Sequence, residues 1–275
     1  MKWTDEAEAE IKKVPFFVRK KVRKRVEKEA AAAGKSTVGL AEVNTTRKNY
    51  LEGMSAEVKG YQLDTCFGSG GCPNRVGNAE PLMARIETLL READLLAFLR
   101  REVDGPLKFH HEFRVTLADC PNACSQPQIK DVGIIAAAKP RLTDIACIGC
   151  GDCREACPDD AVTLTTDMER PVIDAARCLS CGRCVQACPT GTLAEEARGF
   201  KVLLGGKLGR HPRLATEIPG IFSEDEVMTI LSACLDFYKQ HSRKGRRFAE
   251  LLTPEVLSGF IQRFGKPEPP TEPRP

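Results

Sequence analysis

Residues 147–157 read CIGCGDCREAC, and thirty-one residues later 178–188 read CLSCGRCVQAC, each followed by a proline. Both runs have the spacing C-x2-C-x2-C-x3-C and together hold eight of the thirteen cysteines. Three thiolates this closely spaced wrap one corner of an iron–sulfur cube, while the fourth points away from it. Structural zinc also uses C-x2-C pairs, but it needs only two of them and leaves the tight triplets unexplained. The runs are therefore read as iron–sulfur cages. Gly151 and Gly182 remove side chains where backbone must approach the inorganic core, and Pro158 and Pro189 turn the chain away afterwards.

Thirteen cysteines spent on metal imply a reducing compartment, where thiols are not oxidised to disulfides. The opening MKWTDEAEAE is charged and lacks a signal peptide's apolar centre, and no run of about 18 apolar residues marks a membrane span. The expected location is cytoplasmic, with no membrane partner. A net charge of +3 does not make the whole chain a polyanion binder. Apolar residues make up 42% of it, enough for one large core or two ordinary ones.

The pattern is α+β. Residues 1–52 form a small helical module in which Val18, Val22, Val26 and Ala30 share one apolar stripe, after Pro15 and before Gly34. Residues 11–28 carry nine Lys or Arg against one Glu. A second helix is expected from about Gly39 to Tyr50. Further on, AEPLMARIETLLREADLLAFLRREVDG reads as helix with Leu82, Ile86, Leu89 and Leu90 on one face. EFRVTLADC alternates Phe113, Val115 and Leu117 as a strand. IKDVGIIAAA and KVLLGG are further strands, and Ser223 with Glu226 forms a capping box ahead of EDEVMTILSACLDFYKQ. Cys234 falls on that helix's core face. Residues 266–275 are proline-rich and are expected to be a disordered tail.

The two cysteine runs resemble a bacterial-type dicluster ferredoxin, occupying an insert at 140–195. In such ferredoxins the fourth cysteine of each run ligates the other cluster. The resemblance therefore implies a crossed arrangement: Cys147, Cys150, Cys153 and Cys188 for one cube, and Cys178, Cys181, Cys184 and Cys157 for the other. Alone, this insert would be a one-electron carrier.

Four more cysteines lie outside it. Cys66 and Cys72 form a C-x5-C in TCFGSGGCPNR, and Cys120 and Cys124 a C-x3-C in ADCPNACSQPQIKDVGI, with 47 residues between the pairs. Two thiol pairs are candidates for a third cluster, with zinc or uncoordinated structural thiols as the alternatives. The C-x5-C and C-x3-C pairs, the CPN turns, the following DVGI and the later KVLLGGKLGRHPRLA resemble the cluster-binding half of the sirohaem-dependent nitrite and sulfite reductases. A ferredoxin insert after the second pair is similar to their dissimilatory and anaerobic branch. The resemblance implies a sulfite-reductase-like cluster and sirohaem domain at 55–139 and 196–265. It also implies three [4Fe-4S] clusters, and sirohaem bridged to the third of them through Cys124.

Sirohaem bears carboxylates and its substrates are anions, so Arg and Lys partners are needed. For catalysis the candidates beside Cys124 are Arg75, Lys108 and Arg114; for holding the cofactor, Lys207, Arg210 and Arg213. His110 and His111 are candidate proton donors, with an ordinary structural role the competing reading. WTDEAEAEIKKVPFFVRKKVRKRVEKEA, with its leading Trp, VPFFVR and basic helix, resembles the small C-terminal domain of a light-independent protochlorophyllide reductase subunit. The basic helix lacks the aromatic pattern of a nucleic-acid reader.

The resemblance implies an oxidoreductase that reduces sulfite or nitrite with electrons relayed through the ferredoxin clusters. The missing second half of such enzymes would be supplied by a homo-oligomer or a partner subunit, and electrons by a donor protein. A haem-free three-cluster carrier serving a partner reductase is the alternative, and a tetrapyrrole-binding protein without turnover is a second.

Overall fold

The computed structural model describes residues 1–165 and 170–266; the proline-rich tail, apart from Lys266, lies outside them. The chain divides into two compact units, Met1–Lys59 with Val103–His111, and Gly60–Glu102 with Glu112–Pro275.

In the first unit β1 (Lys2–Trp3) precedes α1 (Asp5–Lys12), α2 (Phe16–Ala32), β2 (Thr37–Val38) and α3 (Leu40–Glu57). α1 is capped by Thr4, whose side chain accepts the Ala7 N–H, and carries Asp5, Glu6 and Glu8 in its first turn, where the helix dipole favours negative charge. Three of the four stripe residues expected on α2 join one core; Val18 is half-buried and is not among them. Val26 and Ala30 are buried with Ala7, Val38 and Val43, and Val22 and Trp3 pack on them. Trp3 is held from two sides: its Nε1 donates to Glu27 Oε1 at 2.8 Å, and the Arg23 guanidinium lies 4.3 Å from its ring centre. α3 runs past Tyr50 to Glu57, beyond the expected end.

In the second unit β3 (Tyr61–Thr65) leads to α4 (Glu80–Glu92) and α5 (Leu95–Glu102), then β4 (Phe113–Ala118) and β5 (Val132–Leu142). Next come α6 (Asp152–Glu155), β6 (Val162–Leu164), β7 (Pro171–Ile173) and α7 (Arg183–Ala187). The rest is β8 (Leu193–Leu204), β9 (Thr216–Phe222), α8 (Glu224–His241), α9 (Phe248–Leu251) and α10 (Pro254–Phe264). One sheet has the order β3-β4-β5-β8-β9, in which β3, β4 and β5 are parallel and β8 and β9 antiparallel.

The single helix expected over 79–105 is two. Asp94 sits at φ +46°, a left-handed break that Asp tolerates better than most residues and that no Gly or Pro announces. β4 does not alternate. Thr116 and Ala118 are as buried as Phe113, Val115 and Leu117, because parallel neighbours flank it on both edges and both faces are covered.

β5 and β8 pair from Val132↔Leu204 to Leu142↔Leu193, with one irregularity at Lys139/Pro140. Residues 143–192 are thus carried at the far end of a continuous two-stranded ribbon, which grows out of the main sheet without a hinge of loose chain. On the sheet, α8 begins at the expected capping box: Ser223 N–H donates to Glu226 Oε2 at 2.7 Å and Glu226 N–H to Ser223 Oγ at 3.3 Å. Its buried face includes Val227, Leu231, Cys234 and Tyr238. Tyr238 packs 5.4 Å from Phe113, which packs 5.2 Å from Phe248. Burying each such side chain contributes about 1.5–3 kcal/mol. Cys234 is 0% exposed and belongs to this core.

Candidate iron–sulfur cages

Two cysteine pairs separated by 47 residues meet because each follows the C-terminal end of a neighbouring parallel strand. β3 and β4 pair in register to Thr65↔Leu117, so the chain leaves both at the same edge, into Cys66 and into Asp119–Cys120. Asp119 joins the two loops. Its N–H donates to Cys66 Sγ at 3.3 Å, its carbonyl accepts the Val76 N–H at 2.7 Å, and its carboxylate accepts the Ala79 N–H at 3.2 Å. A Cβ on Gly68 would stand 2.0 Å from the Asp119 carboxylate, so only glycine fits this loop. Burial raises the Asp119 carboxyl, while the Ala79 N–H and Arg75 draw it back down.

Cys120 is buried, and burial pushes its thiol up; the Asn122 N–H lowers it, and Cys66, Cys72 and Cys124 push it further. Those three are therefore its electrostatic neighbours. Cys124 alone of the four is exposed.

The insert sorts its thiols the same way. Cys153, raised first by burial, then lowered by the Arg154 N–H, feels Cys188, Cys147 and Cys150. Cys184, pushed up to about 12 first by burial, feels Cys178, Cys181 and Cys157. Cys157, Cys178, Cys181 and Cys184 also line one cavity, closed by Pro140, Val162 and Leu179. In each case the fourth thiol comes from the other run. Backbone N–H groups aim at sulfur in both: Gly149 at Cys147 (3.4 Å) and Ala161 at Cys157 (3.2 Å). Gly151 (φ +86°) and Gly182 (φ +71°) take the left-handed turn that opens α6 and α7. Among the described residues no group of three or more His, Cys, Asp or Glu is gathered as a single metal ion would need it.

The basic candidates have different local settings. Arg75 and Arg210 are exposed and Lys207 is half-buried. Lys207 and Arg213 close their loop through two backbone hydrogen bonds of 2.9 Å. The Arg213 guanidinium donates to the carbonyls of Gly205 (3.1 Å), Leu252 (3.1 Å) and Ala249, so it staples this loop to α9. Arg114 donates its N–H to Asp131 Oδ2 at 2.9 Å, and its charge, with that of Arg247, offsets part of the burial that raises Asp131. Lys108 belongs to the first unit, where its N–H donates to His111 Nδ1 at 3.2 Å. Burial, then His110 and Lys108, bring His111 down to about 4, so its imidazole is neutral near pH 7. Sequence reasoning passed over Asp119 and Asp131, whose only signal was an acidic residue beside a cysteine pair or a strand start. A groove of about 880 Å³ between α4, α8 and α10, lined by Phe237, Phe260, Asp236 and Arg263, contains none of the thiols.

With this geometry in hand, comparison with known proteins places the chain. Residues 61–266 match the nitrite and sulphite reductase 4Fe-4S domain family, and residues 3–47 match the proto-chlorophyllide reductase 57 kD subunit. The chain belongs to the nitrite and sulphite reductase 4Fe-4S domain family. It is 30% identical over 200 residues to the Coenzyme F420-dependent sulfite reductase of Methanocaldococcus jannaschii, covering 73% of this chain and 28% of that protein. Over 40 residues it is 62% identical to one of the subunits of the light-independent protochlorophyllide reductase of Pelodictyon phaeoclathratiforme, covering 14% of this chain and 8% of that protein. The chain thus spans less than a third of the length of either relative. The crystal structure of dissimilatory sulfite reductase I shares the fold, with a TM-score of 0.50 at 15% identity over 77% of this chain and 54% of the other. No helix among the described residues is long and apolar enough to cross a membrane.

Proposed function

We propose that this chain is the cluster-bearing part of an oxidoreductase that reduces sulfite or nitrite, with three [4Fe-4S] cubes and a sirohaem coupled to the third. The observation that carries the reading is the meeting of Cys66, Cys72, Cys120 and Cys124 at one sheet edge, with Cys124 left exposed. Packed side chains in front of Cys124 would have left no room for a haem.

The donor sets fit cubes. Each offers four thiols and an N–H group directed at sulfur, and the two insert sets also lie in apolar surroundings, features that bind such clusters and tune their potential. The fit to sirohaem rests on fewer groups: exposed Cys124 for the iron, and Arg75, Lys207 and Arg210 for carboxylates or an anionic substrate. When bound, sirohaem supplies the iron at which the anion is reduced and the cubes supply electrons singly. The chain's own residues hold the sulfurs, exclude water around Cys120 and Cys184, and present positive charge to the anion. Further cations come from a second subunit or a second copy, and the electrons from a donor protein.

Engagement of the Arg213 guanidinium with backbone carbonyls favours one competing reading, a three-cluster carrier without haem serving a partner reductase. An absorption spectrum and iron count of the anaerobically purified chain separate the two. The proposal expects about twelve irons in the cubes together with a Soret band; about twelve without a Soret band leaves the carrier. Cys124→Ala should abolish haem–cluster coupling in the first case and cost only the third cluster in the second.

A further inference from the structure

The two cysteine runs share a spacing, yet the fold gives their short helices different neighbours. Where α6 opens on Asp152, α7 opens on Arg183. The second run is fastened to β5: the Ser180 carbonyl accepts the Ala138 N–H at 2.7 Å, and Ala138 and Cys181 form a parallel bridge. Arg183 then donates to Asn74 Oδ1, in the CPN turn that carries Cys72. From β8, Arg198 donates to the Val76 carbonyl of the same turn. The first run has no such attachment among these bonds. Its Ile148 is 67% exposed, and Cys150 and Asp152 are exposed as well.

We propose that Arg183 is a positioning residue: it fixes the cage of Cys157, Cys178, Cys181 and Cys184 against the Cys72 turn. That cage, and not the one built on Cys147, Cys150 and Cys153, is thereby the electron-exchange partner of the Cys66–Cys124 set. The inference rests on the reading that all three sets hold cubes. The exchange makes and breaks no bond. One electron leaves the donor cage, oxidising it, and enters the acceptor cage, reducing it; that electron originates in a low-potential one-electron donor. A guanidinium between two cages also offsets the negative charge added on reduction. The other run's open face is left for the donor to reach.

The test uses the full chain, purified anaerobically, reduced stepwise with dithionite and followed by electron paramagnetic resonance. Spin–spin broadening of the third-set signal should vanish in Cys181→Ala and persist in Cys150→Ala. Arg183→Ala, which leaves every thiol in place, should weaken the broadening. It should also lower the midpoint potentials of the second-run and third clusters without moving the first-run cluster, and Arg183→Lys should restore those potentials. Broadening lost in Cys150→Ala but kept in Cys181→Ala overturns the proposal, as does a potential shift in Arg183→Ala confined to the first-run cluster. A wild-type chain with only about eight irons and no third signal overturns the three-cube reading and this proposal together; a third signal with the wrong neighbour overturns this proposal alone.

Discussion

The runs at 147–157 and 178–188 are near copies, yet the folded chain treats them as different objects. The second lies against the main sheet, where a Cβ on Gly182 would stand 2.9 Å from that of Ala138; around Gly151 the nearest atom is 3.9 Å away, at the tip of Arg154. Even within the second run the thiols differ. Cys184 is driven up to about 12, first by burial and then by Cys178 and Cys181. Cys188 is also raised by burial, but N–H groups of Leu193, Thr190 and Gly191 and the Thr190 hydroxyl outweigh that and bring it to about 7. A ligand spacing therefore says what is bound, whereas exposure and sulfur electrostatics come from whatever the run is packed against.

The largest expected effect tests the crossing. Cys188→Ala, a change in the second run, should remove the first-run cluster, and Cys157→Ala the second-run cluster. Each should lower the iron content by about four per chain, read by iron assay and by which resonance disappears. If each variant lost the cluster of its own run, the two runs would be independent cages and the comparison would have to be redrawn.

A smaller effect should separate the two glycines. Gly151→Ala should cost only the left-handed backbone, about 1–2 kcal/mol. Gly182→Ala adds the collision with Ala138, a further amount of about 1–3 kcal/mol for overpacking. Denaturation midpoints of the two variants measure the difference, and equal losses would mean that the second run is not pressed on β5.

The smallest concerns one hydroxyl. Thr190 Oγ1 lies 3.5 Å from Cys188 Sγ, and the corresponding place in the first run is Asp159. Thr190→Val should remove about 1 kcal/mol of hydrogen bonding to that sulfur. In a redox titration it should appear as a modest downward shift for the first-run cluster. A shift of the second-run cluster instead would contradict the crossed sets.

Much of this architecture could be read ahead of the fold. The apolar stripe of α2, the capping box of α8 and the core position of Cys234 are local patterns, governed by residues within one or two turns of each other. The break at Asp94 was invisible because its cause is a single residue's tolerance of positive φ, with no Gly or Pro to mark it. β9 was missed because Pro219 and Gly220 look like strand breakers, yet an edge strand accommodates them. Arg213 looked like a carboxylate partner, since a cation on a glycine turn carries no sign of which carbonyls will surround it.

The spacing of thiols and turn residues was enough to specify iron–sulfur chemistry, because close ligands must converge whatever the rest of the chain does. Which run abuts the sheet and whether Cys124 faces open space were decided only on folding. Each depends on strand neighbours and contacts between residues tens of positions apart, and linear order does not encode those distances.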